Sequence, residues 1–376
     1  MEPQDLHKRL SKLKSQFLFI LLSLTLVFAE DGSLNLQWKG QASIIHASSF
    51  AGSFDESPTT MRYIPQLRLD YQVSPSNRLG FDVAVDLFNF SLGDSLVEFD
   101  GNFYRFTFRY DTPNTQVRVG LQKINFGPAR MLRVLQWFDE LDPRDPLALS
   151  PGVWAAMGRY YFDNGVNIRL WTMADAPDVQ RNYWGDTESW PWDIGGRLEY
   201  PIPAGTLGLT LHSLDVSKAS VIKENRIAGD IRVDAIVGLW SEMMFARIED
   251  PTWTKDALSV MAGVDYTFSL GNGLYTAFEM ASSYQGVTGE NMPWQIRSFA
   301  LTANYTLGLS DGLTFYLYAI DFPILESQTI PMLGWQHTSG NWLFYLALYD
   351  MPEFTAGSGM SLPSGTGLQI NIAFNH

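Results

Sequence analysis

Cysteine is absent from all 376 positions. That absence removes disulfide frameworks, thiolate zinc sites, cysteine nucleophiles and a lipoprotein anchor together. Charge is scarce as well, at 18% of residues against the usual quarter, and it is unbalanced: 26 Lys and Arg against 40 Asp and Glu. So acidic a chain offers no broad footprint for nucleic acid. Long apolar runs are missing after the first thirty residues, which excludes a helical membrane protein. No HExxH, GxSxG or phosphate-cradling glycine loop occurs, so no catalytic residue, metal ligand or cofactor is expected.

Aromatic residues are abundant instead, at 14%, with 24 Phe, 16 Tyr and 12 Trp. At the N-terminus, His7, Lys8, Arg9, Lys12 and Lys14 precede a short apolar run from Phe17 to Phe28, and Val27-Phe28-Ala29 precedes Glu30. Basic region, short apolar core and small-residue end are the parts of a secretory signal. Residues 1–29 are therefore expected to be a signal peptide, and 30–376 a single exported domain.

Within that domain the periodicity is two. Leu34, Leu36 and Trp38 alternate with Asn35, Gln37 and Lys39, and Leu67, Leu69 and Tyr71 alternate with Arg68, Asp70 and Gln72. Phe81, Val83 and Val85 interleave with Asp82, Ala84 and Asp86, and Phe106, Phe108 and Tyr110 with Arg105, Thr107 and Arg109. The same rhythm returns near 117–122, 194–200, 207–211, 227–233, 260–268, 299–307, 313–319 and 368–374. Period two places alternate residues on opposite faces of a strand.

Connections alternate in length. Short ones carry turn residues, as at Ser74-Pro75-Ser76-Asn77, Pro203-Ala204-Gly205, Gly271-Asn272-Gly273 and Ser339-Gly340-Asn341. Longer polar segments near 47–61, 91–101, 174–191, 215–225, 285–294 and 351–365 lie between them. This long–short asymmetry is that of outer-membrane barrels. The stretch 226–247 reads as one long strand or as two joined near 234–237, and an even strand number favours two. The fold predicted is all-β: a transmembrane antiparallel β-barrel of about 18 strands, with 16 as the alternative, closing without a free sheet edge. The expected location is the cell outer membrane.

The rhythm breaks at Gly120-Leu121-Gln122-Lys123-Ile124-Asn125-Phe126-Gly127, followed by Asp139-Glu140-Leu141-Asp142-Pro143-Arg144-Asp145. This pair of motifs resembles those of porin-like outer-membrane families, the alginate-export porins among them, and the resemblance implies a barrel that passes solutes. Residues 124–152 form the longest connection. Met131, Val134, Leu135, Phe138 and Leu141 fall at helical spacing, so an amphipathic helix is expected, folded against the inner wall as a constriction. An external cap is the alternative. Arg130, Arg133, Asp139, Asp142, Arg144 and Asp145 are the polar residues of that loop, with Asp142 and Asp145 expected to form turns.

If apolar positions face lipid, the interleaved residues line the lumen. These are Arg68, Asp70, Asp82, Asp86, Arg105, Arg109, Arg118, Arg169 and Arg197, then Asp230, Asp234, Glu242, Asp265 and Glu279. Arginines on one wall facing carboxylates on the other would set a field across the pore; mutual pairing that stiffens the wall is the alternative. The expected function is a porin for passive diffusion of small polar or charged solutes. A structural or adhesive barrel and a barrel-type hydrolase are the competing classes. Ser213 adjoins His212 and so lies on the other face of a strand, which disfavours a nucleophile–base pair there. Expected partners are outer-membrane lipid and small polar solutes, with monomer and trimer both open.

Overall fold

Alternation of period two becomes strand after strand in the computed structural model, which describes residues 33–139, 145–173, 193–217, 222–249, 254–287, 294–322, 327–352 and 362–376. The expected signal at 1–29 lies outside the described residues, as do Asp142, Arg144 and the segment 174–191. The strands are β1 (Leu34–Ser49), β2 (Pro58–Ser74), β3 (Asn77–Leu92), β4 (Ser95–Asp111), β5 (Thr115–Gln122) and β6 (Val153–Tyr161). They continue as β7 (Asn167–Met173), β8 (Asp193–Ile202), β9 (Gly205–Ser217), β10 (Ile222–Asp234), β11 (Gly238–Glu249) and β12 (Thr254–Phe268). The last are β13 (Leu274–Val287), β14 (Trp294–Thr306), β15 (Asp311–Asp321), β16 (Gln328–Ser339), β17 (Trp342–Met351) and β18 (Gly365–Asn375).

Each strand pairs antiparallel with its neighbours in sequence, and β18 returns to β1 with Ala42 opposite Phe374 and Ile44 opposite Ile372. The result is the predicted closed barrel of 18 strands. The stretch 226–247 does divide, with Asp234 of β10 facing Gly238 of β11. Short hairpins after the even-numbered strands share one rim with the first residues of β1. At that rim positive φ is met mostly by glycine, as at Gly340 (φ 57), although Ala204 (φ 60) also adopts it.

Burial is inverted relative to a soluble protein. Leu170 is 61% exposed and Ile194 66%, whereas Arg197 is 4% exposed and Glu242 1%. Aliphatic and aromatic residues cover the outside and charges are folded within, the distribution of a barrel whose outer wall meets hydrocarbon. On that wall Phe81 and Phe103 meet Phe106 edge-on, and Trp154 lies tilted beside Phe106.

Two expected loops are corrected. Residues 91–101 are not a loop: the β3–β4 hairpin continues through them, with Leu92 opposite Ser95 and Asn89 opposite Phe99. Residues 215–217 and 222–225 are likewise strand, with Lys223 opposite Asp215. Beyond the hydrocarbon both faces of a strand tolerate polar residues, so polarity there does not mark a loop. Tyr104 sits at a register shift between β3 and β4. Its hydroxyl accepts from the Ser150 backbone N–H at 3.2 Å, because a bulge re-aims the side chain.

Residues 124–139, which follow β5, lie inside the barrel, as the inward-folding loop required. Ile124, Phe126, Leu135, Trp137 and Phe138 pack in one buried cluster with Val153, Met157, Trp171, Met173 and Met244 of the wall. It contains no helix over 124–139. The cause is in its hydrogen bonds: Glu242 and Glu279 of the wall take the N–H groups of Ala129, Arg130, Met131, Leu132 and Leu135. Donors committed to side-chain carboxylates are not available for helical bonds to the backbone.

Candidate functional site

The inner segment is fixed at three levels. Apolar packing holds one side: Phe126 meets Trp137, Phe138 and Trp171 with ring centres 5.2, 5.8 and 5.7 Å apart. Ala129 joins a second cluster with Trp240, Met261 and Ala277. The two wall carboxylates hold the backbone, at 2.6–2.9 Å from its N–H groups. Charge holds the remainder. Arg133 is bonded to Asp139 at 2.8 Å with both side chains buried. Arg130 reaches Asp265 at 3.0 Å while lying over the rings of Trp240 and Tyr275. Asp145 caps a turn, accepting from the N–H groups of Leu147 and Leu149, as its expected turn-forming use requires.

Lys123, where the chain leaves β5, has its ammonium pushed below the ordinary lysine value by burial. Nearby Asp139 opposes that shift, while Arg105 and Arg133 add to it.

The remaining candidates alternate onto the interior face, and most are paired with neighbours on the same arc of wall. Arg68 meets Asp70 at 3.0 Å, and Arg109 meets Asp70 at 2.6 Å and Asp111 at 2.9 Å. Asp82 accepts from Gln66, and Asp86 pairs with Arg62 at 3.0 Å. Arg197 reaches Glu199 at 2.9 Å and Asp230 at 2.6 Å. Asp234 pairs with Arg232 at 2.7 Å. Glu242 and Glu279 are spent on the inner segment. The expected arrangement of an arginine wall facing a carboxylate wall is therefore replaced by lateral pairing, since neighbours in a sheet are within reach and opposite walls are not. Among the described residues the inner faces of β14 to β18 carry no charge, presenting Thr302, Asn304, Tyr316, Tyr318, Tyr345, Tyr349, Gln369 and Asn371.

Arginine outnumbers carboxylate on the inner faces of β4 to β8, where Arg105, Arg118 and Arg169 have no carboxylate bonded to them among the described residues while Arg109, Arg159 and Arg197 do. Arg109 stands opposite Arg118, Arg159 opposite Arg169, and Arg169 opposite Arg197. Arg105 donates to the Ser150 carbonyl at 2.8 Å and Arg169 to the Asn125 carbonyl at 3.2 Å, tying the same stripe to the inner segment. Like charges facing one another across strands are unfavourable unless anionic groups or water compensate.

Arg62, Asp111, Arg159, Glu224, Arg226 and Arg232 belong to the same interior network, although the sequence reading did not place them among the site residues. Their alternation with outward residues such as Ile227 and Ile231 was the available signal. His212 faces inward, with its ring 5.0 Å from that of Phe138 and Nδ1 receiving Trp171 Nε1–H at 3.3 Å. Ser213 is bonded to Asn225 at 2.8 Å in an exposed position. The two residues occupy opposite faces, as their adjacency required.

No protein-family model and no curated protein matches the sequence. Solved structures do match in fold. OccAB3 of Acinetobacter baumannii aligns with a TM-score of 0.57 at 10% identity, covering 92% of this chain and 99% of that one. OccK5 (OpdH) of Pseudomonas aeruginosa aligns at 0.56 and 13% identity, covering 93% and 98%. An anion-selective porin from Comamonas acidovorans aligns at 0.52 and 14% identity, covering 92% and 100%. The chain is similar to these outer-membrane porins over nearly its whole length, and the likeness is one of fold.

Proposed function

We propose that the chain is an outer-membrane channel for passive diffusion of small polar or charged solutes, with the inner segment as its constriction. The arginine stripe on β4 to β8 carries this reading: a barrel that served only as a scaffold would gain nothing from opposing arginines directly across strands. Outside, the apolar wall suits lipid; inside, surplus guanidinium groups attract solutes that bear negative or strongly dipolar groups. The uncharged inner wall of β14 to β18 offers hydroxyl and amide groups to the rest of such a solute.

Single-channel recording in planar bilayers tests the proposal. Discrete conductance steps in potassium chloride, with a current that saturates as a permeant organic anion is added, are the expected result. A folded protein that stays silent in every salt would refute the channel and favour a structural barrel. A screen against peptides and lipids tests the hydrolase class separately.

A further inference from the structure

We infer that Glu242 and Glu279 form a proton-sensitive latch that holds residues 127–135 of the inner segment against the barrel wall. Glu242 Oε1 accepts from the Ala129 N–H and Oε2 from the Leu135 N–H, both at 2.9 Å. Glu279 accepts from Arg130 and Met131 at 2.8 Å, from Leu132 at 2.6 Å and from Trp240 Nε1 at 2.9 Å. Two carboxylates on β11 and β13 thus bind five backbone donors of a segment that has no regular structure of its own. Both are almost completely buried, and among the described residues neither has an ion-pair partner.

The surroundings leave the bonds to the segment as the main support of each charge. Glu242 faces Asp230 on β10 and Met261 on β12; Asp230 is already gripped by Arg197, and Arg133 of the inner segment by Asp139. Glu279 faces Gly263 on β12 and Ala300 on β14. Arg130 and Arg232 lie over Trp240 with their guanidinium carbons 5.5 and 5.4 Å from the ring centre. Both of these arginines are directed to Asp265, at 3.0 and 3.8 Å, and Tyr275 also donates to Asp265.

A carboxylate is an acceptor only; once protonated, one of its oxygens becomes a donor. Proton uptake would set an O–H against the N–H groups now bound, and the backbone would lose its acceptors inside a dry contact where an unmade bond is costly. Gly127 adds to the dependence, because its Cα lies so close to the Glu242 carboxylate that a Cβ there would collide with it. The Arg130–Asp265 contact does not use either proton, so release would begin on the Glu242 and Glu279 side.

Hydrogen exchange read by mass spectrometry on the folded full chain in detergent tests this without any assumption about transport. At about pH 7.5 the amides of 129–135 should be protected. At about pH 4, in the ordinary carboxylate range, protection corrected for the intrinsic rate should fall by at least about tenfold, the scale of a lost charge-assisted bond, while strand amides keep theirs. Glu279→Gln and Glu242→Gln, which place an N–H2 where the proton would sit, should show the loss already at about pH 7.5. Equal protection of wild-type 129–135 at both pH values would overturn the latch, as would full protection in either folded Gln variant. The wild-type comparison decides even if a variant does not fold. The latch gives the proposed channel a pH response in its current, so a silent bilayer would refute the channel while the exchange experiment still decides the latch.

Discussion

Arg197 grips Asp230 with both arms of its guanidinium, Nη1 to Oδ2 at 2.6 Å and Nη2 to Oδ1 at 3.0 Å. The two residues sit on β8 and β10, and the pair crosses β9 over Gly208, where a Cβ would collide with both side chains. Gly208→Ala should therefore push the pair apart and cost about 1.5–3 kcal/mol, the worth of a charged hydrogen bond, seen as a lower urea midpoint for the folded barrel. Asp230→Asn leaves Arg197 bonded to the Glu199 carboxylate and the Thr210 hydroxyl and adds to the arginine surplus. Its reversal potential in a salt gradient should move towards anion preference; an unchanged value would show that this pair does not set the lumenal field.

The same logic predicts the effect of the stripe itself. Arg105 and Arg109 lie at its first strand, and Arg118 faces Arg109 with no carboxylate bonded to it among the described residues. Replacing Arg105 and Arg109 together by Glu should shift the reversal potential towards cations. Arg118→Gln should shift it the same way by less, because it removes one charge rather than reversing two. Identical selectivity in all three proteins would reject the stripe as the selective element, whatever the conductance.

How far these features were legible before the structure depends on the range of the interaction behind them. Alternation is a local property, so the face occupied by Arg197 or Ile227 follows from period two alone, and counting hairpins gives the closed 18-stranded barrel. Pairing is not local. That Arg197 meets Asp230 rather than a residue across the lumen depends on register, which is set by turns and bulges such as the one at Tyr104. The inner segment was hardest to read: the spacing of Met131, Leu135 and Phe138 suits a helix, but Glu242 and Glu279, more than a hundred positions away, take its N–H groups and override the local preference.

Backbone geometry at the base of the inner segment yields a further prediction. Gly120, two residues before the end of β5, has φ of 117 degrees, and a Cβ there would strike the Phe106 carbonyl on β4. Both the left-handed conformation and the close approach require glycine. Gly120→Ala should cost about 1–3 kcal/mol and loosen the β4–β5 contact that carries Arg109 and Arg118. Heat-modifiable migration on gels should show a lower temperature for barrel unfolding. An unchanged transition would mean that β5 can rotate locally to accept the methyl group.

Phe138 tests whether the inner segment constricts the lumen or merely decorates it. Its ring is fully buried and lies 5.8 Å from Phe126, 5.9 Å from Trp171 and 5.0 Å from His212. Phe138→Ala should cost about 3–5 kcal/mol where the cavity cannot collapse. That cost falls on docking of the segment, because strand pairing around the barrel does not involve Phe138. The variant should therefore keep the folded gel mobility of the wild type while its segment 124–138 exchanges amide hydrogens faster. Its single-channel current should become larger or noisier as the segment leaves the wall. Faster exchange with an unaltered current would place the constriction elsewhere in the lumen, and a current equal to wild type with unaltered exchange would show that the aromatic cluster is not what holds the segment in place.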